Sequence, residues 1–136
     1  MKKIYYFIYN KISNKLIYLI SIFENFFGHL FPNFAIKLRF YFKYGVDDEL
    51  EIIPLLSNQK KNTVDVGSNV GIYSFELSKY FNNVYSYEPN KFVYKRLKNL
   101  NIKNLYTFNY GLSDKNIKLD LIYPKYIYGL STFNKE

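Results

Sequence analysis

Asp65, Gly67, Ser68, Asn69 and Gly71 fall in one short segment, Thr63-Val64-Asp65-Val66-Gly67-Ser68-Asn69-Val70-Gly71-Ile72-Tyr73. A second carboxylate, Glu88, closes the next apolar run. A carboxylate just ahead of a glycine turn repels a diphosphate and attracts a cationic group. Gly67 allows a sharp bend and the close approach of a ligand, because it has no side chain. Gly71 lets the helix after the turn pack near the strand before it. A dinucleotide fingerprint reads G-x-G-x-x-G, and a phosphate loop reads G-x-x-x-x-G-K-[ST]. This segment reads G-x-x-x-G and matches neither. Glu88 stands near the spacing, about 20 residues past the turn, at which an acidic side chain grips ribose hydroxyls. Such charge-assisted hydrogen bonds are worth roughly 1.5–3 kcal/mol each. The pattern suits a nucleoside that carries an amino group and a sulfonium. The plain alternative is an ordinary strand-to-helix turn with a solvated carboxylate at the next strand end.

These residues need a strand, a turn and a helix to position them, and the sequence offers that order. Asn62 to Val66 reads as a buried strand, Gly67 to Gly71 as a turn, and Ile72 to Phe81 as a helix with Phe75, Leu77 and Tyr80 buried. After Asn82-Asn83, a second strand covers Val84 to Tyr87. Asn90 caps a helix reaching about Leu100, and a third strand covers Asn104 to Phe108. This alternation predicts an α/β fold with a parallel sheet and helical crossovers. Ile117 to Ile122 alternates as a further strand, and Tyr123 to Glu136, with Pro124 and Gly129, reads as irregular.

Ahead of residue 60 the period is helical. Tyr5, Ile8, Tyr9, Ile12, Leu16, Leu19, Ile20, Phe23, Phe26, Phe27 and Leu30 form one stripe. Lys3, Asn10, Lys11, Asn14, Ser21, Asn25 and Gly28 take the opposite side. The helix is expected to end near Gly28 and Pro32. A second helix runs from Asn33 as cap to Tyr44, with Gly45 as its stop. A third starts at Asp47 or Asp48, where Asp48 and Glu51 have capping-box spacing, and Pro54 shortens it. The expected division is a helical region over 1–46 and a partial Rossmann-like domain over 47–136.

The chain has 136 residues, a net charge of +8, 16 Tyr, 13 Phe, one His and no Cys. Disulfides and cysteine metal sites are excluded, and no metal is expected. The charge favours anionic partners. Codon drift toward A and T, which also enriches Lys, Asn, Ile, Tyr and Phe, gives the same excess with no selected partner. No secretory signal with a cleavage site follows Lys2 and Lys3, and no run approaches the roughly 20 apolar residues of a membrane span. His29, beside Gly28 at a helix end, reads as a capping or surface residue.

The runs VDVGSNVGIYS, YSYEPN and NIKNLYTFNYGLSD resemble the FkbM-type methyltransferases across residues 47 to 133. D-V-G-x-N-x-G followed at this distance by E-P-N is the specific part. The resemblance implies a class I, Rossmann-like fold and S-adenosylmethionine as cofactor. It implies methylation of a hydroxyl on a sugar or natural product. Asp65, Gly67, Ser68, Asn69 and Gly71 would line the methionine and ribose parts, Glu88 would hold the ribose, and Asn109 to Asp114 would lie near the adenine. Family members add a second half, with a fourth strand beside the first. This sequence ends before such a half, which reads as a truncated frame, a fragment, or one piece of a two-chain assembly.

Two other functions are compatible with the sequence. One is a non-catalytic fragment that keeps the cofactor loop. The other is a basic protein on a membrane surface, with residues 4–30 as an interfacial helix and an idle site. The expected partners are a hydroxyl acceptor such as a saccharide, a chain that completes the sheet, and a membrane surface. No nucleic acid is expected, since no RNA-binding module is recognisable. The expected compartment is the cytoplasm, with a peripheral position at the inner membrane surface left open by the helix.

Overall fold

The computed structural model describes residues 2–56, 61–122 and 132–133, with side chains from residue 15 to 56 and from 61 to 122. Helix α1 spans Lys2–Phe27 and α2 spans Pro32–Phe42. A 3₁₀ turn over Asp48–Ile52 runs into the short helix α3, Ile53–Leu56. Then come β1 (Asn62–Val66), α4 (Ile72–Leu77), β2 (Asn83–Tyr87), α5 (Lys91–Lys98) and β3 (Leu105–Phe108). A small pair, β4 (Leu121–Ile122) and β5 (Thr132–Phe133), follows.

The sheet has the expected parallel form, in the order β1-β2-β3. Asp65 pairs with Ser86, and Tyr87 with Phe108. Side chains alternate between the faces of a sheet. Val84 and Ser86 therefore point into the layer of helices, and both are fully buried. Tyr85, Tyr87, Tyr106 and Phe108 take the other face, where Tyr85 stacks on Tyr106 at 5.2 Å and Tyr87 on Phe108 at 4.9 Å.

The core lies on the helical face. Ile36 of α2 meets Leu97 of α5 and Leu100 beyond it, with Phe40, Ile72 and Phe75 packed around them. The first helical residues and the strand-bearing residues thus share one core. Asn104 fastens the helical layer to the sheet by donating to the Ser78 and Phe81 carbonyls.

Several local expectations are corrected. β1 is exposed at alternate residues rather than buried, with Val64 at 54% and Val66 at 61% exposure. Among the described residues it pairs with β2 alone. α4 ends at Leu77, not Phe81, and its buried residues are Ser74 and Glu76. Phe75, Leu77 and Tyr80 are half-buried, and it is Ser74 that α4 sets against the sheet, in contact with Asp65 and Ser86. Asn33 does not cap α2, which starts on Pro32. Its amide instead clamps the backbone of Asn101, accepting from the N–H at 3.0 Å. A proline at a helix start needs no N–H partner, so the first turn forms without that cap. α2 stops at Lys43 in a left-handed conformation, ahead of Gly45. The Asp48–Glu51 capping box is absent, and Asp47 at the cap position makes no capping bond. Its carboxylate accepts from the Tyr73 hydroxyl at 3.2 Å, while Glu51 pairs with Lys43 at 3.7 Å. Of the expected strand over Ile117 to Ile122, only Leu121–Ile122 forms, and part of the segment from Tyr123 onward lies outside the described residues.

The orientation of α1 is set by contacts that the apolar period does not show. Ile20 and Glu24 of α1 are buried, as is Gly28 just past its end, whereas Leu16, Leu19, Phe26 and Phe27 of the apolar stripe, and Leu30 beyond the helix, are exposed. The Glu24 carboxylate receives both arms of the Arg39 guanidinium, at 2.6 and 2.5 Å. Charge-assisted, two-pronged bonds of this kind are strong and directional. Gly28 faces Arg96 so closely that a Cβ there would overlap the guanidinium. An ion pair and a small residue therefore set the rotation of α1, and the stripe turns outward. The stripe residues before Lys15 lie outside the described side chains.

Candidate functional site

The carboxyl ends of β1 and β2 stand side by side, and the turn after β1 crosses between them. The Gly67 and Ser68 N–H groups both donate to the Tyr87 carbonyl, at 2.9 and 3.0 Å. The Ser68 hydroxyl donates back to the Asp65 carbonyl at 2.9 Å, and the Gly71 N–H to the Ser68 carbonyl at 2.8 Å. Three residues of the turn are left-handed: Gly67 at φ 75°, Asn69 at φ 50° and Gly71 at φ 90°. Glycine adopts this region without penalty, and asparagine tolerates it better than most.

The two glycines serve different ends. A Cβ on Gly67 would meet nothing within 4 Å, so its bare side faces open space. A Cβ on Gly71 would come within 2.4 Å of Leu100 and 2.8 Å of Leu97. Gly71 thus lets α5 and its following turn close over the site, rather than drawing α4 onto the strand.

Asp65 and Glu88 occupy the same face of the sheet, since Asp65 is opposite Ser86 and Glu88 is two residues further on. Asp65 accepts a 2.6 Å hydrogen bond from the Ser74 hydroxyl, and Ser74 meets Ser86 at 2.8 Å. Burial pushes the Asp65 carboxyl above its ordinary value, against the opposing hydrogen bonds from Ser74 and Ser68. Glu88 is only 7% exposed. One oxygen accepts the Asn69 N–H at 2.8 Å and the other the Asn90 N–H at 2.7 Å. The carboxylate therefore ties the turn to the start of α5. Each oxygen has a second lone pair for a further donor. Asn90 caps α5 as expected, accepting from the Phe92 N–H at 3.0 Å.

A cleft of about 330 Å³ opens over the turn, lined by Asp47, Asp65, Gly67, Ser68, Asn69 and Tyr73. Its size lies in the range of small-molecule sites, about 300–1,000 Å³. Asp65, Gly67, Ser68 and Asn69 are thus brought together at its wall. Gly71 and Glu88 sit behind the turn as its supports. Asn109, expected near an adenine, donates to the carbonyls of Glu88 at 2.8 Å and Pro89 at 3.2 Å, which fixes the turn after β2. Tyr110 and Leu112 beyond it are exposed. His29 is exposed and offers its carbonyl to the Asn99 amide, as a helix-end residue does.

Ser74, Ser86, Asp47 and Tyr73 escaped the sequence reading. Ser86 carried a signal, as a hydroxyl in the middle of an apolar strand. Asp47 and Tyr73 carried none, since their meeting depends on how the 3₁₀ turn folds back on α4. Compared with known proteins, the chain matches no family model and no curated protein.

Proposed function

We propose that this chain binds S-adenosylmethionine over the Gly67–Asn69 turn and serves methyl transfer to a hydroxyl, on a sugar or natural product. One observation carries the reading. A carboxylate, Asp65, and a side-chain-free bend, Gly67, line a cleft beyond the carboxyl ends of parallel strands, with a second carboxylate, Glu88, directly behind the bend. Ligands of open α/β sheets bind in that position.

The residues present fit such a nucleoside. The open side of Gly67 admits a ligand atom close to the backbone. Asp65 offers a negative charge to the amino group and sulfonium. Glu88 acts from behind the bend, where its hold on the Asn69 N–H fixes the turn over which the nucleoside would lie. When bound, the cofactor supplies a methyl group on a sulfonium for in-line attack by the acceptor oxygen. The chain's own part is to hold the reactants in line, and positioning is a large share of the rate in such reactions.

Isothermal calorimetry with S-adenosylmethionine and its demethylated product tests this. Both should bind the wild type, and Asp65→Ala and Glu88→Ala should each weaken binding about tenfold, the loss of a charge-assisted hydrogen bond of about 1.5 kcal/mol. No heat of binding with either compound rejects the reading. Binding without turnover on any hydroxyl acceptor retains the cofactor site and rejects the transfer.

A further inference from the structure

We propose that the cavity between α1 and α5 holds the phosphate group of a phosphorylated small molecule. The inference is independent of the methyl-transfer reading. The cavity measures about 650 Å³, within the range of about 300–1,000 Å³ for small-molecule sites. Asn69 lines both this cavity and the cleft over Gly67, so the two border the same turn.

Charge identifies the occupant. The cavity wall carries four cations, Arg39, Lys95, Arg96 and Lys98, and one carboxylate, Glu24. Glu24 is held by Arg39, which donates to both its oxygens. Among the described residues, Lys95, Arg96 and Lys98 form no ion pair. The first turn of α5 has no acidic residue, and its last turn is basic. Arg96 is half-buried beside Gly28. Desolvation holds its pKa below the ordinary value, with Glu24 opposing the shift from beyond ion-pair distance and Arg39 adding to it. Arg96 makes no hydrogen bond among the described residues, and no fully buried side-chain nitrogen there lacks a partner. The Arg96 N–H groups are therefore not sealed in, and they open on the cavity that this residue lines. With Glu24 counted, the wall keeps a surplus of three positive charges. A phosphate monoester carries a charge of about −1.5 to −2 near neutral pH and several strong acceptor oxygens. A lone carboxylate would leave most of that surplus unmet. Guanidinium is shaped for phosphate, and lysine serves it as a point charge. Phe92, 53% exposed in the same wall, gives the organic part of the ligand an apolar surface.

Calorimetry of the full chain tests the proposal. Inorganic phosphate and glucose 1-phosphate should each bind saturably, and glucose should give no heat. The double variant Lys95→Gln/Lys98→Gln changes exposed side chains and should keep its circular dichroism spectrum. It should weaken glucose 1-phosphate binding about tenfold, as the loss of charge-assisted contacts does. Arg96→Gln should have a similar effect, and the lysine pair carries the test if that variant does not fold. Lys91→Gln/Lys103→Gln removes the same charge from exposed positions outside the cavity wall. Its affinity should stay within about twofold of the wild type, because solvent and salt screen distant charges. Equal losses in the two lysine doubles would mean diffuse attraction to the net charge of +8 and overturn the proposal. Wild-type affinity in folded Lys95→Gln/Lys98→Gln overturns it too, as does the absence of heat with both phosphate compounds. Binding of glucose as strong as that of glucose 1-phosphate, or binding of inorganic phosphate alone, which would mark a free-ion site, also overturns it.

Discussion

The two faces of the β1-β2-β3 sheet come from the same short strands and have opposite fates. On the helical face, Val84, Ser86 and Ser74 are fully buried, and among the described residues no buried side-chain N or O lacks a partner. On the other face, Val64, Val66 and Tyr106 are about half exposed or more, and aromatic rings stack on one another with no helix over them among the described residues. The pleat alone determines which residue goes where, since adjacent residues point in opposite directions. The face that carries the candidate chemistry is the one where burial makes a hydroxyl or carboxylate consequential. Asp65 is perturbed because it faces the helices, and Val64, its neighbour, is spectator to the same strand.

The sharpest way to break this contrast is at the centre of the covered face. Leu97→Ala removes a fully buried side chain from the core. It should cost about 2–5 kcal/mol of unfolding free energy in urea titration. A loss below about 1 kcal/mol would mean that the helical layer is loosely packed.

Gly71→Ala comes next. It places a Cβ against Leu97 and Leu100 at a φ of 90°. Strain of that kind costs on the order of 1–3 kcal/mol. Gly67→Ala has a similar backbone penalty with no steric contact. The excess of the first over the second, read by the same denaturation, measures how tightly α5 closes on the turn. Equal losses would remove the packing role of Gly71.

The same substitution on each face sharpens the comparison further. Val84→Thr buries a hydroxyl without an assigned partner and should cost about 1–3 kcal/mol. Val64→Thr, on the open face, should stay within about 0.5 kcal/mol. Matching losses in thermal unfolding would show that the two faces are equally covered.

The smallest effect is a pH dependence. Because burial raises the Asp65 carboxyl above its ordinary value of 3.8, the folded chain binds that proton more readily than the unfolded chain. Its contribution to stability is full below 3.8 and is lost as pH rises through the folded value. Asp65→Asn cannot titrate, so the wild type should lose stability relative to this variant across that interval. A stability difference that stays flat with pH would place Asp65 in a solvated setting.

Much of the site was legible beforehand, for reasons that are local. Glycine next to polar residues after an apolar run announces a turn, and the structure forms one with left-handed Gly67, Asn69 and Gly71. Asn90 at the head of a helix announces a cap, and it caps. The Ser74–Ser86 contact under Asp65 was not legible, because it joins α4 to β2 across the layer. Nor was the burial of Glu88 against two backbone N–H groups, which depends on the path of the turn and not on its composition.

By itself, the sequence determined the order of strands and helices, the parallel sheet and the carboxylate-glycine turn. Each of these follows from backbone preferences and from the period of apolar residues over a few neighbours. Only the tertiary structure decided which side of α1 faces inward. Periodicity marked an apolar stripe without saying what it faces; with the Glu24–Arg39 pair and the close Gly28–Arg96 contact on the inner side, Leu19 and Phe26 stand exposed. A hydrophobic pattern states which residues gain by leaving water. The partner they meet is supplied by distant parts of the chain, and there a directional ion pair with a snug glycine contact outweighed the stripe.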